Sequence, residues 1–198
     1  MEPSTKAFEL ICLFEASNVC RLKAYLDTGG VPTIGWGTTV YPNGKRVKIG
    51  DTCTEQEANS YLENDVKSSV VSIKKLVKTE ISQSMFDALV SFVYNLGAGQ
   101  FGSSTLLKHI NAAKFQLASQ EFPKWKFDNG VAIPGLLRRR LAEQKLFNEG
   151  LSELGKSANT KSEDVTFAVE SSVTEAEAPA SKSEIPFKPF RKNRNKKR

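Results

Sequence analysis

Arg21-Leu22-Lys23-Ala24-Tyr25-Leu26-Asp27-Thr28-Gly29-Gly30-Val31-Pro32-Thr33-Ile34-Gly35-Trp36-Gly37 decides the fold class, because it breaks with the helical texture on either side of it. Two short β-type runs, Lys23–Leu26 and Pro32–Gly35, flank the turn residues Thr28-Gly29-Gly30. Glycines there supply the positive φ angles that tight turns need. A third run, Arg46–Ile49, follows Pro42-Asn43-Gly44, and Asn-Gly between β-type residues is a strong hairpin signal. Lys23 to Gly50 therefore predicts a small antiparallel sheet.

Outside this stretch the helical period dominates. Ala7 to Phe14 is an apolar helical run. Thr54-Glu55-Gln56-Glu57 is a capping box, and the helix after it predicts a span to about Val77 from the spacing of Tyr61, Leu62, Val66, Val70 and Ile73. Ser82 or Ser84 caps a third helix through Val93, which Gly97 ends. Ser103 or Ser104 opens a short helix through Ile110. Pro134 starts a last one, with Leu136, Leu137, Leu141 and Leu146 apolar and Gly150 as its expected stop. The expected class is α+β, mainly helical: a leading helix, a small sheet, then a helical body.

Composition narrows the functional classes. The 198 residues are 39% hydrophobic and 25% charged, which describes a globular chain rather than a fibrous or membrane one. Three cysteines, Cys12, Cys20 and Cys53, are too few for a disulfide scaffold and are expected to be unpaired. A single histidine, His109, excludes most zinc sites and any mechanism needing two imidazoles. The run Ala7–Phe14 is interrupted by Glu9, lacks a basic leader and falls far short of the roughly 20 residues that span a bilayer. Synthesis and residence in the cytoplasm are the expectation.

The chain divides near Gly150. Residues 1–150 hold both tryptophans, all four tyrosines and all three cysteines. Residues 151–198 are rich in Ser, Glu, Ala and Lys, and a stretch so poor in large apolar groups is expected to form a disordered tail. Seven acids and three bases give 153–184 a charge of −4, while seven bases and no acid give 186–198 a charge of +7. The tail is acidic first and basic at its tip.

Glu15 and Asp27 stand out among the acids by context. Glu15 closes the apolar helix directly after Phe14, where partial desolvation would favour the protonated form that a general acid requires. Asp27 ends the first strand at the glycine turn, and Thr33 begins the next strand with a hydroxyl that can hold water. One acid, one base and a hydroxyl are the components of glycoside hydrolysis. Glu–Asp pairs near turns are abundant, so the residues alone leave the assignment open.

Six blocks taken in order carry a resemblance. Phe14-Glu15 and the segment from Arg21 to Gly37 come first, followed by Tyr41-Pro42-Asn43-Gly44 and by Phe86 to Gly97. Ser103-Ser104-Thr105-Leu106-Leu107 and Pro134 to Arg140 with Ala142-Glu143 complete the series. Together they resemble the phage-type lysozymes, the endolysins of glycoside hydrolase family 24, across nearly all of residues 7–148. The resemblance implies a lysozyme-like fold whose small sheet borders the active-site cleft. It implies cleavage of the β-1,4 bond between N-acetylmuramic acid and N-acetylglucosamine in peptidoglycan, with Glu15, Asp27 and Thr33 as the catalytic residues and Phe101 and Ser104 as substrate-binding positions. Inversion is the usual outcome in such enzymes, with carboxyl groups roughly 6.5–9.5 Å apart. It further implies that no metal or organic cofactor is needed. With no export signal, the expectation is a monomer that waits in the host cytoplasm for a separate holin.

Two departures stand out: Ala16 replaces the usual glycine with about three extra residues in Ser17–Cys20, and Thr38 stands where many members carry histidine. The insertion keeps a second reading open, a lysozyme fold that grips peptidoglycan or a partner without cutting it. A net charge of +6 and the basic tip suggest an anionic contact. The expected contact is the bacterial envelope, and nucleic acid is not expected. Glu9 is the rival of Glu15. Of Arg138, Arg139 and Arg140, one is expected to pair with a buried or cleft carboxylate. Trp36 and Trp125 fit core packing at least as well as sugar stacking.

Overall fold

The computed structural model describes residues 1–15, 19–27 and 29–159. Ala16–Asn18, most of the lengthened connection, and residues 160–198, nearly all of the expected tail, lie outside them.

Helix α1 spans Thr5–Phe14, with the Ser4 side chain accepting from the Lys6 N–H at its start. Strands β1 (Arg21–Leu26) and β2 (Pro32–Gly35) pair antiparallel, with Tyr25 opposite Thr33 and Leu26 opposite Pro32. Helix α2, Glu55–Leu76, opens with the expected capping box between Thr54 and Glu57. It buries Ala58, Leu62, Val66, Val70 and Ile73 on one face. Helix α3, Gln83–Leu96, is capped by Ser82 and stopped at Gly97, whose φ of 89° is the left-handed conformation expected there. The short helices α4 (Ala98–Ser103), α5 (Thr105–Asn111) and α6 (Phe115–Glu121) follow, and Phe122–Lys124 forms a 3₁₀ turn. A two-residue hairpin, β3 (Phe127–Asp128) with β4 (Val131–Ala132), precedes α7 at Pro134–Asn159.

The core is built around α3, which packs against α1, α2 and α7. Its apolar residues point in every direction, from Met85 and Phe86 to Phe92 and Val93, as a helix enclosed on all sides requires. Phe92 sits at the centre of an aromatic group, edge-on to Phe101, Phe122 and Trp125. Asp87, fully buried on the same helix, accepts from both the backbone N–H (2.9 Å) and the hydroxyl (2.5 Å) of Ser4, so the chain start is tied to the middle of the molecule.

Two sequence expectations need correction. Arg46–Ile49 is not a strand; Arg46 makes one isolated bridge to Val40. The Asn43-Gly44 turn forms, with the Tyr41 N–H donating to the Lys45 carbonyl. Pairing then stops because Asp51 Oδ2 accepts from the Lys48 N–H, and Gly50 (φ 100°) turns the chain away. The segment returns instead beside β1, where Thr52 bridges Lys23. Nor does Gly150 end the last helix, since α7 continues to Asn159. A Cβ at Gly150 would lie 2.2 Å from Ser82 Oγ and 2.8 Å from the Met85 nitrogen. The glycine is there to let α7 touch the start of α3, not to stop a helix. Beyond it, Leu151 and Leu154 pack on the core, and Glu153 accepts from the N–H and the hydroxyl of Ser84.

Candidate active site

Glu15 is the C-cap of α1, where the backbone turns extended (φ −96°, ψ 140°) while its N–H still closes the helix on the Ile11 carbonyl. Its side chain is 20% exposed. Oε1 accepts from Arg139 Nη1 at 2.9 Å. On the opposite side, a Cβ at Gly37 would lie 3.5 Å from Oε2. The backbone just after β2 therefore runs past the carboxylate, with only a glycine between them.

Arg139 belongs to a buried charge cluster between α3 and α7. Besides Glu15, it donates to Glu143 Oε1 (3.2 Å) and to the Ser91 carbonyl (3.3 Å), and it lies 5.7 Å over the Phe14 ring. Arg140, fully buried, donates to Asn95 Oδ1 at 2.9 Å, stacks 4.9 Å over Phe92 and shares Glu143. Burial alone would ease the proton off Arg139, but the charges of Glu15 and Glu143 outweigh it and hold the guanidinium protonated beyond its ordinary range. Burial wins at Arg140 and pulls it down to about 10. Two guanidiniums are thus balanced by two carboxylates, of which Glu15 is the one that reaches solvent. Arg138 is exposed.

Asp27 lies at the end of β1. Its Oδ1 accepts from the N–H groups of Gly29 (2.7 Å) and Val31 (2.8 Å), which fixes the side chain across its own turn. Thr33, 3% exposed, donates its hydroxyl to the Val31 carbonyl at 2.9 Å; the hydroxyl oxygen keeps lone pairs that can accept from a ligand or water. Tyr25 links the elements. Burial pushes its phenol up; the Arg21 guanidinium, 4.5 Å over the ring, opposes that, while Asp27 and Glu15 both add to it. The two acids therefore share one neighbourhood around Tyr25, with Thr33 as that residue's cross-strand partner.

Phe101 and Ser104 are enclosed. Phe101 is fully buried against Phe92, and Ser104, 4% exposed, caps α5 by accepting from the Leu107 N–H while donating to the Phe101 carbonyl. Neither side chain is open to a ligand. Glu9 is exposed on the outer face of α1. Thr38, 1% exposed, donates to Asp65 Oδ2. Trp36 donates to Asn59 and packs on the core, as does Trp125. His109 lies 4.0 Å from Glu121. Burial raises the Cys12 thiol to about 11 and also raises Cys20, the reverse of what a nucleophile needs. Among the described residues, no group of three or more His, Cys, Asp or Glu is placed to hold a metal ion.

Sequence reading missed Glu143 and Tyr25 as site supports. The spacing Arg139, Arg140, Glu143, at i+4 and i+3, was the available signal, because it places all three on one helical face.

The family description Phage lysozyme matches residues 15–143, from the acid that ends α1 to the carboxylate that balances both arginines. The chain belongs to the phage lysozyme family. Among phage lysozyme relatives, it is 39% identical to an endolysin of Bacillus phage PZA, covering 84% of this chain and 62% of that protein. It is 41% identical to an endolysin of Bacillus phage B103, covering 77% of this chain and 56% of that protein. The chain thus spans about three fifths of the length of these two relatives. Among solved structures, an endolysin from Escherichia coli O157:H7 phage FAHEc1 superposes with a TM-score of 0.69 at 36% identity, covering 74% of this chain and 93% of the other. The lysozyme-like fold, mainly helical with small antiparallel sheets, is as expected.

Proposed function

We propose that this phage lysozyme is an endolysin muramidase that hydrolyses the β-1,4 bond between N-acetylmuramic acid and N-acetylglucosamine in peptidoglycan. The observation that carries the reading is Glu15, a partly exposed carboxyl held from one side by Arg139 and facing the Gly37 backbone on the other. In this reading Glu15 protonates the glycosidic oxygen as the bond breaks. Asp27, its Oδ1 fixed by the turn, stabilises the oxocarbenium-like transition state through its second oxygen. The carboxylate and the Thr33 hydroxyl orient the attacking water, so the product inverts at the anomeric carbon. No cofactor enters the step. In this reading Phe101 packs in the core and Ser104 caps α5, and neither touches sugar.

Mass spectrometry of digested peptidoglycan tests the proposal. Products ending in reducing N-acetylmuramic acid support it. Reducing N-acetylglucosamine or 1,6-anhydro ends overturn the reaction class, and undigested glycan with retained binding would make the domain a wall-binding module.

The rest of the reading is physiological. Among the described residues no helix is long and apolar enough to cross a membrane. We assign the chain to the host cytoplasm before release, as a monomer dependent on a separate holin. The +7 stretch 186–198, with Phe187 and Phe190 interleaved, is assigned to contact with the anionic envelope. Removing residues 160–198 should weaken binding to whole envelopes most at low salt; equal binding at low ionic strength would remove that role.

A further inference from the structure

On the opposite edge of β1 from β2 lies a concavity of about 840 Å³ lined by Tyr41, Lys45, Arg46, Lys48, Asp51 and Tyr61. None of the residues proposed for glycosidic cleavage belongs to it. The two tyrosines meet edge-on, 5.2 Å between ring centres, and form an aromatic wall. Three cations stand beside it, all exposed. Among the described residues none of the three has an ion pair. The one acid in the lining is engaged internally: Asp51 Oδ2 accepts from the Tyr41 hydroxyl at 2.9 Å and from the Lys48 N–H at 2.8 Å. The loop bearing the cations is held in shape. Tyr41 donates to the Lys45 carbonyl, Gly44 donates back to Tyr41, and Lys45 donates to Asn43 Oδ1. A positively charged hollow with an aromatic wall and a held backbone suits an anionic group, and the ordering required on binding is confined to the three cationic side chains.

Its position says which one. The Asp51 carbonyl accepts from the Ala24 N–H, so the hollow abuts β1 three residues before Asp27. Along a strand that is about 10 Å. A polymer lying at Asp27 would bring groups attached to its neighbouring sugars to this place. Peptidoglycan carries acidic stem peptides on alternate sugars, with free carboxylates. We infer that the Tyr41–Tyr61 hollow binds the stem-peptide carboxylates of the glycan strand, through Lys45, Arg46 and Lys48. The inference rests on the muramidase reading for its substrate, but it concerns recognition rather than cleavage.

The test is co-sedimentation on ice of the full chain and of a K45Q/R46Q/K48Q variant with two materials. One is sacculi from a Gram-negative rod, which bear stem peptides and no teichoic acid. The other is the glycan strands that an amidase frees from the same sacculi, coupled to beads so that they sediment. The variant should lose about tenfold in affinity for peptide-bearing sacculi at low salt, with the difference shrinking at high salt, and should bind stripped strands as the wild type does. Equal binding of both proteins to peptide-bearing sacculi overturns the inference, as does an equal loss on stripped strands. Release of reducing sugar by the wild type from both materials is scored separately. If it fails, the muramidase reading falls without deciding what the hollow binds.

Discussion

Glu15 has two neighbours that do different things: Arg139 fixes Oε1, and Gly37 leaves room at Oε2. A Glu15→Gln substitution preserves the shape, but the amide has no acidic proton to deliver. Turbidity loss of permeabilised cells should fall by about 10²–10⁴-fold while the melting temperature stays near wild type. Glu9→Gln, on the exposed outer face of α1, should match the wild type in both measurements. Thr33→Ser keeps the hydroxyl that donates to Val31 and should retain most activity, whereas Thr33→Val should not; equal activity of the two would reduce the threonine to packing. Glu143 is the shared carboxylate of two buried guanidiniums, so Glu143→Gln should cost about 3–5 kcal/mol in denaturant unfolding, by leaving uncompensated buried charge. Tyr41 supplies a pH prediction. Burial and the Asp51 carboxylate raise its phenol from 10.0 to about 12. A raised acid makes a contribution that is complete below the unfolded value and lost as pH rises toward 12. Asp51, held down by the Lys48 N–H and the same phenol, loses its side of the bond as pH falls through its lowered value. Ultraviolet difference titration should show a phase near 12 that Tyr41→Phe removes and Asp51→Asn moves downward.

The elements that were legible in the sequence are those whose cause is local. The Thr54–Glu57 box, the Ser82 cap and the Gly97 stop each need only a few consecutive residues, and each is present. Pro32–Gly35 is a strand with the expected bounds, and its pairing places Thr33 opposite Tyr25. Expectations failed where the deciding atoms come from elsewhere in the chain. Whether Arg46–Ile49 extends a hairpin depends on Asp51 gathering Tyr41 and Lys48, which no alternation pattern reveals. The β3–β4 hairpin has an Asn129-Gly130 turn with φ of 47° and 80°, but its strands are too short for a two-residue period to register. Gly150 was the instructive failure, because glycine serves helix stops and close helix contacts equally well. The contact makes a sharp prediction: Gly150→Ala, favourable to an isolated helix, should destabilise this protein by about 1–3 kcal/mol in chemical denaturation, since the new methyl meets Ser82 and the Met85 backbone. An unchanged midpoint would mean that α7 can shift outward at no cost.

At the scale of the whole molecule, the working end of the chain lies past the place where composition changes. Truncation after Asn159 should leave the melting temperature unaltered. Truncation after Gly150 removes Leu151, Leu154 and the Glu153 contacts to Ser84, and should cost about 2–4 kcal/mol. Differential scanning calorimetry of the two truncations separates them. The candidates Glu15, Asp27 and Thr33 came from the resemblance to phage-type lysozymes, because their positions at element boundaries alone left the assignment open. The support of that site was not legible, because Arg139 lies 124 residues from Glu15 in sequence. That separation has a consequence in time. A ribosome making this chain releases the acid early and the arginine that positions it 124 residues later. Until α7 has emerged and docked, the nascent protein lacks both Arg139 and Glu143, and α3 lacks the helix that covers it. Products that end before α7 should therefore be inert, whereas products that end after Asn159 carry both residues and the covering helix.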